Sequence, residues 1–229
     1  MDDEFLNQMI PNKDKTGCVV CSIGGKFCGK SYSCLEYLKA ILDTELFDKY
    51  ILCLPNLNCE SRGSYDFLHK AKKKKKIMLM EKYTPEVSRR VIATQKEKKN
   101  KGKMMFFFID DASCQNMGAQ DGKDDYLKDL LTNIRHYNVF LWIIGHGKNV
   151  FNPFLRMNTD IFLLYNMSNK ALIKGLYEEF LSLYPEYPKF EIFLKEFIEF
   201  HNKNKFSCLY LNVRNRFKDY GFTKLLKNL

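Results

Sequence analysis

One stretch of the chain joins residue types and spacing that can do chemistry: Gly24-Gly25-Lys26-Phe27-Cys28-Gly29-Lys30-Ser31. It fits GxxxxGK followed by Ser or Thr at every fixed position. Glycines let backbone amides turn inward without a Cβ clash, and those amides, with the start of a helix, form a cradle for phosphate oxygens. In such a cradle the lysine, here Lys30, reaches the β and γ phosphates, and the hydroxyl, here Ser31, is a magnesium ligand. The expected ligand is ATP with Mg2+, held by Gly24, Gly25, Lys26, Phe27, Cys28, Gly29, Lys30, Ser31 and Tyr32. A second constellation is Asp110-Asp111, directly after the apolar run ending Phe108-Ile109. Asp110 is therefore expected at the C-terminal end of a buried strand, the edge where open α/β sheets bind ligands. There it holds magnesium through water, with Ser31, and Asp111 polarises the attacking water. Asp121 and Asp124 read as solvated residues at a helix start.

The elements around these residues follow from periodicity. Cys18 to Ile23, Tyr50 to Leu54, Met104 to Ile109, Val139 to Ile144 and Ile161 to Tyr165 are short apolar runs that read as buried strands, with Ile77 to Met80 as a further one. Gly29 onward reads as a helix with Leu35, Leu38 and Leu42 on one face. Pro85 to Lys99 reads as a helix with proline in its first turn, and Lys123 to His136 as another, with Tyr126, Leu130 and Ile134 four apart and Leu127 and Leu131 beside them. Apolar strands alternating with amphipathic helices imply a mostly parallel sheet covered on both faces, an α/β fold. The later part differs. Leu172, Leu176 and Phe180 mark one helix, Phe190, Phe193, Leu194, Phe197 and Ile198 another; Phe206 to Val213 reads as a strand and Phe217 to Lys227 as a basic tail. The expected organisation is an N-terminal arm (1–16), a nucleotide-binding core (17–168) and a small helical C-terminal extension packed on it (169–229).

With 229 residues, one domain is the default. The net charge of +10 favours a polyanionic partner, nucleic acid before anionic membrane. Six of the seven residues from Lys70 to Lys76 are lysine, and Lys96 to Lys103 is also lysine-rich. Bare lysine runs attract a phosphate backbone without reading bases, which suits a sequence-independent duplex binder. Cys18-x-x-Cys21 lacks a second Cys or His pair to complete a zinc set, and strand residues three apart point to opposite faces. The cysteines are expected to be free, packed thiols in a reducing setting. No stretch reaches the ~20 apolar residues of a membrane span, and the opening Met1 to Glu4 is acidic, unlike a secretory signal. A soluble, intracellular protein is expected. His69 and His201 read as surface residues.

Three further stretches carry a resemblance: Phe108-Ile109-Asp110-Asp111; Ile134-Arg135-His136-Tyr137-Asn138-Val139; and Gly145-His146-Gly147 followed by Asn152-Pro153-Phe154-Leu155-Arg156-Met157-Asn158. Together with the glycine-rich loop, over roughly residues 17–166, they resemble the FtsK–HerA superfamily of DNA-pumping ATPases. The likeness is strongest to the genome-packaging ATPases of poxviruses, other large DNA viruses and virophages. The resemblance implies a RecA-like (ASCE-type) P-loop NTPase, a homo-oligomeric ring, often a hexamer, and a pore that passes duplex DNA. It implies that Arg135 acts on the neighbouring subunit's ATP, with Arg156 as a second candidate. It places His146 where the family usually has a glutamine sensor; histidine can donate to the γ phosphate or the water, and changes protonation in the physiological range. A capsid or internal-membrane protein at a packaging vertex is a further partner class, and the virion or a cytoplasmic viral factory the implied location.

The expected function is therefore an ATP-driven DNA translocase that packages a viral genome into a preformed capsid. The alternative is a P-loop nucleotide or polynucleotide kinase, which needs an arginine-rich lid and an acceptor site. A third class is a binding protein that uses nucleotide only as a switch.

Overall fold

The structure, a computed structural model, describes residues 17–44, 46–55, 67–68, 71, 76–112, 125–146, 152–204, 206–214 and 217–220. The expected apolar runs form β1 (Cys18–Ile23), β2 (Lys49–Cys53), β3 (Ile77–Met80), β4 (Met105–Ile109), β5 (Val139–Gly145) and β6 (Ile161–Tyr165). Every residue of β1, β4, β5 and β6 is buried, as strands covered on both faces must be. Alternation sends Cys18 and Val20 to one face of the sheet and Val19, Cys21 and Ile23 to the other. Cys18 and Cys21 are thus on opposite faces, both free thiols, as their spacing predicts.

The helices are α1 (Lys30–Asp43), α2 (Pro85–Lys96), α3 (Asp125–Thr132), α4 (Pro153–Met157), α5 (Lys170–Leu176) and α6 (Phe190–Lys203). Helix α1 buries Cys34, Leu35, Tyr37, Leu38, Ile41 and Leu42 against the Cys18 face; α2 to α6 contribute to the core on the other face. Helix α2 stops earlier than periodicity suggests. The Asn100 side-chain amide donates to the Thr94 carbonyl at 2.6 Å, and Lys98–Asn100 forms a 3-10 turn. Helix α3 is also shorter than expected. Its buried stripe is Leu127, Leu130 and Leu131, and Tyr126 is exposed. Helix α5 runs into a π turn at Tyr177–Leu181.

The strands lie in the order β3-β2-β4-β5-β1-β6-β7-β8, where β7 is Cys208–Asn212 and β8 is Phe217–Tyr220. The six from β3 to β6 are parallel to their neighbours; β7 and β8 pair antiparallel beyond β6. The strand expected over Phe206 to Val213 is β7, so the segment after residue 168 contributes helices α5 and α6 and also extends the core's own sheet. Residues 217–220, read as part of a basic tail, form a strand instead. Among the described residues, no helix is long and apolar enough to cross a membrane.

Candidate functional site

The glycine-rich loop leaves β1 at its C-terminal end and closes on α1. A Cβ on Gly24 would lie 2.6 Å from the Tyr165 Cβ and 2.8 Å from the Cys28 Sγ, so only glycine fits there. The Gly25 N–H donates to the Asn166 carbonyl at 2.8 Å, and the Cys28 thiol to the Gly25 carbonyl at 3.1 Å. Phe27 and Gly29 take left-handed backbone, φ 58° and 81°. Helix α1 begins without a side-chain cap and with no acidic residue in its first turn, so its positive end carries no anion of its own. This cradle fits a triphosphate. Phe27 is 94% exposed and Tyr32 70%, so both stand out from the loop rather than close it.

Strand order brings the acid pair to the same edge. Ile109 of β4 is level with Ile143 of β5, and Ile143 with Cys21 of β1. One residue further on, Asp110, Ile144 and Ser22 lie in line across three adjacent strands. At ~4.8 Å per strand, Asp110 is about 10 Å across from the β1 axis, room for a metal and its water. Asp110 is 5% exposed; its N–H donates to the Cys53 carbonyl and its Oδ1 accepts from the Asp111 N–H, both at 2.9 Å. Asp111 takes left-handed backbone, φ 46°, and the Ala112 N–H ties the chain to the Ile144 carbonyl at 2.8 Å. A strained aspartate at a strand tip is a common mark of a functional position.

Between them, His146 leaves β5. Its Nδ1 lies 3.1 Å from the Gly24 carbonyl, and the Lys30 ammonium lies 3.2 Å from both ring nitrogens. The Gly24 oxygen only accepts, so Nδ1 carries the proton and Nε2 accepts from Lys30. Lys30 is 2% exposed. Beneath them, the buried Cys34 thiol is pushed up to about 12, chiefly by desolvation, with Lys30 pulling it down and Asp110 pushing it up. Ser22 completes this floor, accepting from the Trp142 indole N–H at 2.9 Å and from the Cys34 thiol at 3.4 Å.

Arg135 is not brought to this edge. It precedes β5, at the N-terminal edge of the sheet, and seven residues of strand at ~3.3 Å each separate it from His146. Its side chain is 60% exposed and 3.7 Å from Asp160. Arg156 is engaged within its own subunit, its Nε donating to Glu179 of the π turn at 2.9 Å. The lysine-rich run around Lys98 and Lys101 also lies at the N-terminal edge, before β4. Of the Lys70–Lys76 run, only Ala71 and Lys76 are among the described residues; His69, Asp121, Asp124 and Gly147 fall outside them too.

Three features escaped the sequence reading. His201, taken for a surface residue, is 4% exposed and wedged between Phe197 and Phe200. Its place in the series 190, 193, 197, 201 was the available signal, since that spacing is one helix face. Asp160 accepts from the Val19 N–H at 2.9 Å and from the Arg214 Nε at 3.1 Å, while facing Arg135. Phe206 lies against the glycine-rich loop: a Cβ on Gly29 would meet its ring at 2.6 Å.

No family model matches the chain, and no curated protein matches it by sequence. Solved structures do match. The genome packaging NTPase of Sulfolobus turreted icosahedral virus 2, in complex with ATP-γS, aligns over 92% of this chain and 98% of its own, with TM-score 0.63 and 15% identity. The DNA-packaging ATPase of Sulfolobus turreted icosahedral virus aligns over 89% and 96%, with TM-score 0.63 and 15% identity. The cytoplasmic domain of the type VII secretion ATPase EccC of Thermomonospora curvata aligns over 90% of this chain but 24% of its own, with TM-score 0.55 and 14% identity. The α/β fold expected from the sequence, a mostly parallel sheet with a phosphate loop after its first strand, is thus one that this chain shares with viral genome-packaging ATPases.

Proposed function

We propose that this chain is an ATP-driven DNA translocase that packages a viral genome into a preformed capsid, hydrolysing ATP at the interfaces of a subunit ring. One juxtaposition carries the reading: Lys30 at the start of α1, His146 just past β5 and Asp110 just past β4 share one edge of the sheet, and Arg135 occupies the opposite edge. Lys30 leaves His146 to contact the β and γ phosphates. The Ser31 hydroxyl and the Asp110 carboxylate hold magnesium, which when bound offsets charge on the phosphoryl oxygens. Asp111 polarises the attacking water. His146, beside Lys30, senses the terminal phosphate. Arg135 is too far from its own subunit's cradle to act there, so it serves the ATP of a neighbour; such a group is worth ~10³–10⁵ in rate. Arg156, already bound to Glu179, is the weaker candidate.

DNA as the substrate is supported by the shared fold with packaging ATPases and by the net charge of +10, carried mostly by lysine. Lysine suits the phosphate backbone of a duplex moving without base readout. A ring of six copies, a capsid or internal-membrane partner at the packaging vertex, and a place in the virion or viral factory complete the reading, with the core over 17–168 and the extension over 169–229.

ATPase activity measured with and without linear duplex DNA, beside the sedimented oligomer size, tests it. DNA-stimulated, salt-sensitive turnover by a ring is expected. Turnover indifferent to DNA in a monomer, with phosphate transferred to an added nucleotide or polynucleotide acceptor, would replace it with the kinase alternative.

A further inference from the structure

The phosphate loop is gripped at both ends by the part of the chain that follows β5. At its start, Tyr165, the last residue of β6, fills the space beside Gly24, and the Asn166 carbonyl accepts from the Gly25 N–H. At its end, Phe206 fills the space beside Gly29. A Cβ on Gly29 would lie 2.6 Å from the Phe206 Cδ1, 2.7 Å from its Cβ and 2.9 Å from its Cγ. Phe206 belongs to the turn between α6 and β7, and that turn is tied to β6. The Asn204 N–H and its side-chain amide both donate to the Phe200 carbonyl, at 2.9 and 3.0 Å, and the Ser207 N–H donates to the Asn204 carbonyl at 3.1 Å. One turn earlier in α6, the buried His201 ring hydrogen-bonds the Leu164 backbone, and Cys208, the first residue of β7, is level with Tyr165. The two grips on the loop therefore belong to one frame. The position is a costly one for a phenylalanine. Its backbone is left-handed, φ 73°, where a bulky side chain is an outlier, and its ring stays 47% exposed, so burial returns only part of that cost. Strain of this kind gathers where a side chain is held for function rather than for packing. Gly29 has the opposite property. It is left-handed too, φ 81° and ψ 0°, and its carbonyl accepts from the Ser33 N–H at 2.9 Å to start α1. A glycine is free to leave such a conformation unless something holds it.

We propose that Phe206 is a positioning residue for the phosphates: its ring, carried on the turn between α6 and β7, pins Gly29 and so pre-orders the amides at the head of α1 that receive phosphate oxygens. The proposal rests on the reading of Gly24 to Ser31 as a triphosphate cradle. Amides that already point inward need no ordering by the ligand, and a cradle arranged in advance binds more tightly than one the phosphates must arrange. Phe206 acts through Gly29 and not by touching the reacting atoms. The segment after residue 168 is then part of the ATP site, because the residue that holds the end of the phosphate loop lies within it.

The test is calorimetric titration of the full chain, in magnesium, with inorganic tripolyphosphate and with ATP, for Phe206→Ala, Phe206→Gly and Phe206→Tyr, with the melting temperature of each. Phe206→Ala removes the ring, and Phe206→Gly also removes the Cβ that approaches Gly29. Both should weaken tripolyphosphate and ATP by the same factor, about three- to tenfold, the glycine variant at least as strongly. Phe206→Tyr keeps the ring and should bind like the unaltered chain. Phe206→Gly should melt higher than Phe206→Ala, because glycine takes a left-handed backbone without strain, yet recover no affinity. A ring that served the fold alone would make affinity follow melting temperature instead. Tripolyphosphate affinity unchanged in both truncations overturns the proposal. So does a loss confined to ATP, which would put the ring on the base, and so does affinity regained from alanine to glycine. An unaltered chain that binds neither tripolyphosphate nor ATP removes the cradle reading itself, and the proposal with it.

Discussion

Replacing Arg135 with alanine separates a structural from a catalytic role, because the two predict effects of very different size. The Arg135 side chain is 60% exposed, and its contact with Asp160 is 3.7 Å. An exposed pair of this kind contributes at most ~0.5 kcal/mol. Asp160 keeps the Val19 N–H and Arg214 when Arg135 is gone. In a chain of this length such a loss moves Tm by only about 1–2 °C. If Arg135 serves a neighbour's ATP, turnover should fall ~10³–10⁵-fold, about 4–7 kcal/mol of transition-state stabilisation. Binding of ATP should persist, since the cradle is on the far edge of the sheet. The decisive assay mixes Arg135→Ala with Lys30→Ala. Each is inactive alone, but an interface that joins an intact Lys30 to a neighbour's intact Arg135 should work. Random mixing of equal amounts makes about a quarter of head-to-tail interfaces competent. Co-sedimenting mixtures that recover no turnover would refute the assignment, as would an Arg135→Ala variant that has lost ATP binding.

Gly24→Ala should lose nucleotide binding and about 1–3 kcal/mol of stability, because its Cβ would meet Tyr165 and Cys28 at under 3 Å; titration calorimetry and thermal melting read the two effects. Asp160→Ala should cost ~3–5 kcal/mol in chemical denaturation, since it leaves the Val19 N–H without its acceptor and takes away the anion facing two arginines. His201 is neutral when folded and held down to about 4, against 6.5 when unfolded, so its contribution is fully present above pH 6.5. That contribution should be lost as pH falls from 6.5 towards 4, by up to ~1.4 kcal/mol per pH unit. Comparing acid denaturation of the unaltered chain with His201→Gln isolates it; identical pH dependence would contradict the burial of the ring.

The parts of the site that were legible in the sequence are those fixed by local chemistry. Gly24 to Ser31 has a spacing that backbone geometry demands, and Phe106 to Ile109 is apolar because its strand is covered on both faces. Asp110 then follows at the strand tip by counting. Strand order is a different matter. That β5 lies between β1 and β4, and so puts His146 against Lys30, is decided by how helices cross the sheet and by no residue in either strand. Asp160 carried no signal of its own in the sequence because its partners are distant: Val19 is 141 positions away. Strand β8 was hidden because Lys218 and Asp219 make an edge strand look like a polar tail. His201 was misplaced by residue type, although its helical spacing pointed inward. Phe206 was assigned to a strand; its approach to Gly29 is a tertiary contact that periodicity cannot express.

Trp142 is the sole tryptophan of the chain, fully buried, with its indole N–H bonded to the hydroxyl of Ser22, two residues before Gly24. Light absorbed near 295 nm is therefore emitted from a single ring one strand away from the phosphate loop. Its spectrum should be blue-shifted while the sheet is intact and move to the red on unfolding. Because the reporter sits under the loop, a nucleotide titration can be followed by intrinsic emission, with no dye attached and no residue changed.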